Sequence, residues 1–184
     1  MKIEDTAIAG VKVIHLNSYS DSRGMFVETF DTRVIRNLGL ENTFVQDATS
    51  VSSTKGTFRG LHFQKPPHAQ TTFVRVVRGS IFGVTMDIRA SSPTFGQLVS
   101  VNLNAEDWRM LYLPKGHAHG FCTLVDDCHV AYKLGDHYAP DKAGGIQLDD
   151  ADLGIDWPLD PAKGIISDKD RANPCLRDLG PVFD

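Results

Sequence analysis

Hydrophobic and polar positions alternate along most of this chain with the two-residue period of half-buried β-strands. Ile8 to Leu16 reads apolar–polar in this way, and Met25 to Phe30 resumes the pattern after a polar turn cluster, Ser18 to Gly24. The period then lengthens once. Asp31 is placed to cap a short helix through Arg33-Val34-Ile35-Arg36-Asn37-Leu38, which Gly39 closes. Thr43 to Asp47 returns to strand character, and Ser50 to Gly56 reads as a Ser/Thr-rich loop. Strands follow at 58–64, 71–77, 81–88, 96–103, 109–113, 117–124 and 128–134, with Arg78-Gly79-Ser80 marking a hairpin turn. About ten short strands at near-regular spacing, without βαβ alternation or a solenoid repeat, predict an all-β sandwich or barrel. After Pro140 the chain turns polar and acidic through Trp157-Pro158 to Asp170, and reads as a C-terminal arm wrapped on that barrel within a single domain, 1–184.

Composition narrows the function. The 184 residues are 41% hydrophobic and 23% charged, ordinary values for a globular domain, and long enough to bury a core unaided. A net charge of −4 with no Lys/Arg run argues against a polyanion-binding surface, so no nucleic-acid partner is expected. Three cysteines without CxxC spacing, and an acidic N-terminus lacking a signal-like apolar segment, predict reduced thiols in a cytoplasmic protein that does not enter a membrane.

Chemistry concentrates in the run Phe58-Arg59-Gly60-Leu61-His62-Phe63-Gln64. Strand alternation puts His62 and Gln64 on one face, and Leu61 and Phe63 on the other. One face is thus apolar, while the other offers a titratable imidazole beside an amide. Arg59 and Arg75 stand inside apolar strands, where an anion-binding role is more frequent than average. Pro114-x-Gly116-x-x-His119 is the second half of a cupin-like signature, and His117-x-His119 places two imidazoles on one strand face. A metal site needs more converging N/O donors than these two, so a metal-dependent cupin enzyme using His117 and His119 is the minority alternative. Tyr132, taken alone, reads as an amphipathic residue with its ring in the core. His15, His68 and His129 read as surface or packing residues, and Cys122 and Cys128 as core.

Longer motifs carry a resemblance. Asp21-Ser22-Arg23-Gly24-Met25-Phe26-Val27-Glu28, Phe44-Val45-Gln46-Asp47, Arg59 to Gln64, Asp87-Ile88-Arg89, Ser92 to Gln97, Pro114-x-Gly116-x-Ala118-His119-Gly120-Phe121, Tyr132-Lys133 and Leu153 to Pro158 together make the chain resemble the dTDP-4-dehydrorhamnose 3,5-epimerase family along nearly its whole length. The resemblance implies a cupin-like jelly roll, a homodimer, a nucleotide-linked 4-keto-6-deoxy sugar as substrate, and chemistry that needs neither metal nor other cofactor. It makes His62 the general base, Asp170 its orienting carboxylate and Tyr132 the acid on the opposite face of the sugar. It further implies that Arg23 and Arg59 hold diphosphate oxygens, that Gln46, Glu28 and Tyr138 contact nucleotide and sugar, and that His119 lines the pocket. Four positions depart from the family pattern. Thr72 replaces a lysine aimed at the C4 oxygen, Ala48 an asparagine, His117 an aromatic and His137 a tyrosine. His117, if protonated, is one candidate to replace the missing cation; Lys133 is another, although its neighbour Tyr132 puts it on the other strand face. Inversion at one centre only, C3 or C5, and non-catalytic binding of a nucleotide sugar are the alternatives these departures raise.

Overall fold

The computed structural model describes residues 1–41 and 43–184. Thirteen strands are seen among them: β1 (Lys2–Asp5), β2 (Lys12–His15), β3 (Ser18–Asp21), β4 (Gly24–Val27), β5 (Gln46–Ser52), β6 (Phe58–Gln64), β7 (Thr72–Arg78), β8 (Ser80–Asp87), β9 (Leu98–Asn104), β10 (Arg109–Leu113), β11 (His117–Thr123), β12 (Cys128–Leu134) and β13 (Ala143–Gly145). They form a six-stranded sheet in the order β1-β2-β10-β7-β12-β5, a five-stranded sheet in the order β13-β6-β11-β8-β9, and the separate hairpin β3-β4. Every ladder is antiparallel. The two large sheets pack face to face as a cupin-like jelly roll. Between them Val74, Val76, Leu111, Leu113 and Val130 meet Ile81, Leu103 and Phe121, all at most 4% exposed. Burial of this apolar area supplies the main driving force for closure.

The outer faces are covered too. Leu61, Phe63, Val84 and Met86 of the five-stranded sheet, with Ile88 just past the end of β8, lie under the C-terminal arm, which contributes Ile146, Leu153, Trp157, Leu179 and Phe183. The arm also adds β13 to the edge of that sheet, and its helix α2 (Asp168–Arg171) is capped by Ser167 Oγ. On the other side, helix α1 (Thr32–Asn37) buries Ile35 against Ile14, Phe73, Met110 and Tyr112. Its start is the expected one: Asp31 accepts from Arg33 N at 2.7 Å. Phe30, Phe44 and Phe73 stack edgewise and tilted beside it.

Three local expectations are corrected. Ser18 to Gly24 is not merely a turn, because its polar residues form β3 and the first residue of β4, paired Ser18↔Val27 through Asp21↔Gly24. Ser50 to Gly56 is strand as far as Ser52, since β12 pairs with β5 from Gln46 to Ser52 and takes up its backbone groups. Edge strand β1, whose sequence is mostly polar, was not foreseen.

Asp87 fixes the shape of one loop beside the site-forming strand β11. Its fully buried carboxylate accepts from Arg89 Nε and Nη2 (2.9 and 2.7 Å), Ser92 Oγ (2.6 Å) and Thr94 Oγ1 (2.6 Å). Burial alone would raise its pKa, but these donors hold it well below the usual carboxylate range. The folded pKa is thus depressed, so its contribution is full above the unfolded value near 4 and fades as the pH falls below it. Asp87→Ala, which strands these donors, is expected to lower unfolding free energy by about 3 kcal/mol in urea melts at pH 7. A loss under about 1 kcal/mol contradicts this reading.

Candidate active site

One cavity of about 310 Å³ opens between the two sheets, with His62, His119 and Phe121 on one wall and Thr72, Leu113 and Tyr132 on the other. Strand β6 reaches it by an irregularity. Gly60 has φ +110°, and a Cβ there would stand 2.7 Å from Gly120 Cα and His119 O. The register with β11 shifts at this point, from His119↔His62 to Phe121↔Arg59. Such a bulge re-aims side chains, and Arg59 and His62, three residues apart, both line the cavity. Alternation resumes beyond it, and Leu61 and Phe63 face the arm as expected.

His62 is held from the arm. Its Nε2 lies 2.6 Å from Asp170 Oδ1, while Asp170 Oδ2 accepts from Gly60 N at 3.2 Å. Asp170 is 5% exposed. Burial pushes its pKa up, but the bond from His62, the imidazole's charge and the Gly60 N–H outweigh that and leave it lowered. An ionised carboxylate only accepts, so Nε2 carries hydrogen, and Nδ1 is the ring atom left to take a proton from a ligand. With its side chain half exposed, His62 is open to a ligand from the cavity.

Tyr132 projects from β12 on the facing sheet, flanked in register by Val74 and Ala48. Burial raises the phenol's pKa, against smaller opposing effects of the nearby Ser50 hydroxyl and Arg59 guanidinium. At neutral pH it therefore holds its proton. Arg59 is fixed by Nε to Ser52 Oγ (3.1 Å) and Nη2 to Val51 O (3.1 Å). Among the described lining residues it alone carries a permanent positive charge.

Neither proposed substitute for the absent lysine holds. Lys133 faces outward, paired with Asp47 at 2.9 Å and lying over the Phe30 ring. His117 is 7% exposed, and burial lowers its pKa, so it is neutral rather than cationic at pH 7. Thr72 itself lines the cavity, one strand over from Leu134. His119 is also kept neutral by burial, its pKa lowered to about 4, with Nδ1 3.1 Å from Thr85 Oγ1.

Other expected contacts are not gathered here. Arg23 stands at the exposed tip of the β3–β4 hairpin, bound to Asp21, and Glu28 is exposed just beyond it; neither lines the cavity. Gln46 accepts from Tyr138 N at 2.8 Å, which ties the 135–140 loop to β5. Tyr138 borders an adjoining groove that His62 shares. Gln64 is a clamp rather than a pocket amide. Its Nε2 donates to His68 O and His137 O, and its Oε1 accepts from Ala139 N. Three lining residues escaped the sequence reading: Ser50, Gln70, and Lys169 in the grooves on either side of His62. Ser50 becomes visible once 46–52 is read as a strand, because it then shares a face with Gln46 and Ala48. His15, His68 and His129 each pair with an acid at the surface, and Cys122 is buried with its thiol pushed up to about 11. Among the described residues, no three His, Cys, Asp or Glu side chains converge as a metal-ligand set.

Comparison with known proteins agrees with this architecture. The family described as dTDP-4-dehydrorhamnose 3,5-epimerase matches residues 5–178. A dTDP-4-dehydrorhamnose 3,5-epimerase of Methanothermobacter thermautotrophicus is 45% identical over 97% of this chain and 95% of its own. The crystal structure of a Legionella pneumophila dTDP-6-deoxy-D-glucose-3,5-epimerase in complex with dTDP-4-keto-L-rhamnose superposes with a TM-score of 0.90 at 42% identity, covering 97% of this chain and 94% of that one. A 3'-monoepimerase of Streptomyces bikiniensis in complex with dTDP-quinovose gives 0.87 at 31% identity, covering 94% and 86%. With its motifs, its jelly roll and its full-length relatives in agreement, the chain belongs to the dTDP-4-dehydrorhamnose 3,5-epimerase family.

Proposed function

We propose that the protein epimerises a dTDP-linked 4-keto-6-deoxy sugar by moving protons at carbons next to the ketone. The observation that carries this is the placement of the His62–Asp170 pair and of Tyr132 on facing sheets across one cavity. The C4 ketone acidifies the hydrogens on C3 and C5. His62 removes one of them from one side, and the electron pair moves onto the C4 oxygen as an enolate. Tyr132 then delivers its proton to the same carbon from the other side, restoring the ketone with that centre inverted. The phenolate and the imidazolium then re-equilibrate with solvent. Asp170 stabilises the imidazolium while it exists, as a buried carboxylate beside a histidine does.

Thr72 takes the place nearest to the family's oxyanion cation, and its hydroxyl is the donor we assign to the enolate oxygen. Thr72→Val is expected to reduce kcat about 100-fold with KM little changed, the range for removing one oxyanion donor. Equal kcat values for Val and Thr would remove Thr72 from the mechanism. A neutral donor at this point favours a second reading, inversion at C3 or C5 alone, which has a precedent in the Streptomyces bikiniensis relative. To test the function, dTDP-4-keto-6-deoxyglucose is incubated with the protein, products are trapped by borohydride, and the 6-deoxyhexoses are identified. Rhamnose reports both inversions and a C3 or C5 epimer reports one; recovery of only 6-deoxyglucose and its C4 epimer overturns the assignment.

A homodimer fits the hairpin. Tyr19, Met25 and Phe26 of β3 and β4 are 62%, 53% and 67% exposed, an apolar surface of the kind that marks an interface. Burial of this hairpin against a second copy would give Arg23 and Glu28 a place beside that copy's nucleotide.

A further inference from the structure

At one end of the cavity stands a buried acceptor that the catalytic scheme does not use. The His117 ring sits where Pro114-Lys115-Gly116 turns into β11, held by the Pro114 carbonyl in the neighbourhood of the Asp87–Arg89 pair. Asp87 is its register partner on β8, and a Cβ on Gly116 would come within 2.3 Å of Arg89 Cγ. Nδ1 lies 3.0 Å from Pro114 O. A carbonyl oxygen has no hydrogen to give, so Nδ1 carries the proton. Burial keeps the ring neutral, and Nε2 therefore holds a lone pair. That atom is buried and has no partner among the described residues, yet its side chain lines the substrate cavity. His119 also has an unpartnered Nε2, but its Nδ1 meets the Thr85 hydroxyl, which donates or accepts; its tautomer is left free. His117 alone is committed. A buried acceptor left unpaired costs free energy that a ligand donor recovers.

We propose that His117 is a specificity-determining residue, whose Nε2 accepts a hydrogen bond from a hydroxyl of the bound sugar. This rests on the epimerase reading of the cavity. The 4-keto-6-deoxy ring has no hydroxyl at C4 or C6, so the donor is the 2-OH or the 3-OH. The protein selects a nucleotide-linked hexose that retains this hydroxyl over its deoxy counterpart. The neutral polar side chains Ser50, Gln70 and Thr72 on the same cavity suit a hydroxylated ring rather than a charged one.

The test measures binding of dTDP, dTDP-6-deoxyglucose, and the 2-deoxy and 3-deoxy forms of the latter by calorimetry. Wild type is expected to bind one of the deoxy forms about 10- to 100-fold more weakly than dTDP-6-deoxyglucose. His117→Phe should bring that ratio close to one. Equal binding of all three sugars by wild type, or an unchanged ratio in His117→Phe, overturns the proposal. Should His117→Phe fail to fold, ¹⁵N NMR of wild type decides: Nε2 is expected to be unprotonated, and to shift on adding dTDP-6-deoxyglucose. A protonated Nε2, or no shift at saturation, overturns it. Failure of the epimerase reading looks different, since none of the sugars would then bind more tightly than dTDP and no keto sugar would be turned over.

Discussion

Replacing His62 by alanine is expected to lower kcat at least 1,000-fold while leaving nucleotide-sugar binding within a few-fold of wild type. The size follows from the work assigned to the ring. A positioned base contributes about 10²- to 10⁴-fold, and His62 is, among the described residues, the group tied to Asp170 that can take a proton from the cavity side. The substitution also leaves a 5% exposed carboxylate with Gly60 N as its chief remaining donor. His62→Gln, whose amide nitrogen stands about where the ring Nε2 does and can still donate to Asp170, separates the two effects. It should restore stability to near wild type in a thermal melt without restoring turnover. Activity in either variant within tenfold of wild type would remove His62 from the base role.

The second large effect concerns Tyr132. Tyr132→Phe keeps the ring among Val74, Val130 and Phe121 and deletes only the proton donor. Abstraction by His62 remains possible, but protonation from the opposite side does not. Inversion is expected to slow about 1,000-fold, whereas recovered starting sugar should still exchange hydrogen with solvent next to the ketone, returned to the face it left. Exchange and inversion falling together by the same factor would make Tyr132 something other than the opposite-face acid. Wild-type rates of inversion would dismiss it altogether.

Much of this was legible in the residues, and the reasons differ from place to place. Strands with one buried face, such as β9 and β12, alternate clearly because each inward position must be apolar. The Asp31 cap and Gly39 marked α1 for an equally local reason. Strands β1 and β3 were not legible, since neither buries an apolar face in the single chain and strand pairing alone leaves no pattern, whereas β4 falls at the start of the strand read from Met25. In the site, the motif around His62 pointed to the base. The bulge at Gly60 that lets Arg59 and His62 share a cavity is a property of the β6–β11 register, which spans sixty residues of sequence. Gln64 misled because an amide on a polar strand face reads alike whether it binds a ligand or clamps a loop. His117 misled in charge: spacing shows an imidazole, but only its burial and the Pro114 carbonyl show it neutral with a fixed tautomer. Lys133, by contrast, falls on the outer face as strand alternation required.

The most direct measurement follows dTDP-4-keto-6-deoxyglucose by NMR in D2O with the wild-type protein. If His62 and Tyr132 work as a base and an acid across the cavity, deuterium enters the product at every carbon whose configuration inverts, C3, C5 or both, and carbons not adjacent to the ketone keep their hydrogens. A sugar recovered with no deuterium at either carbon would contradict the account at its centre.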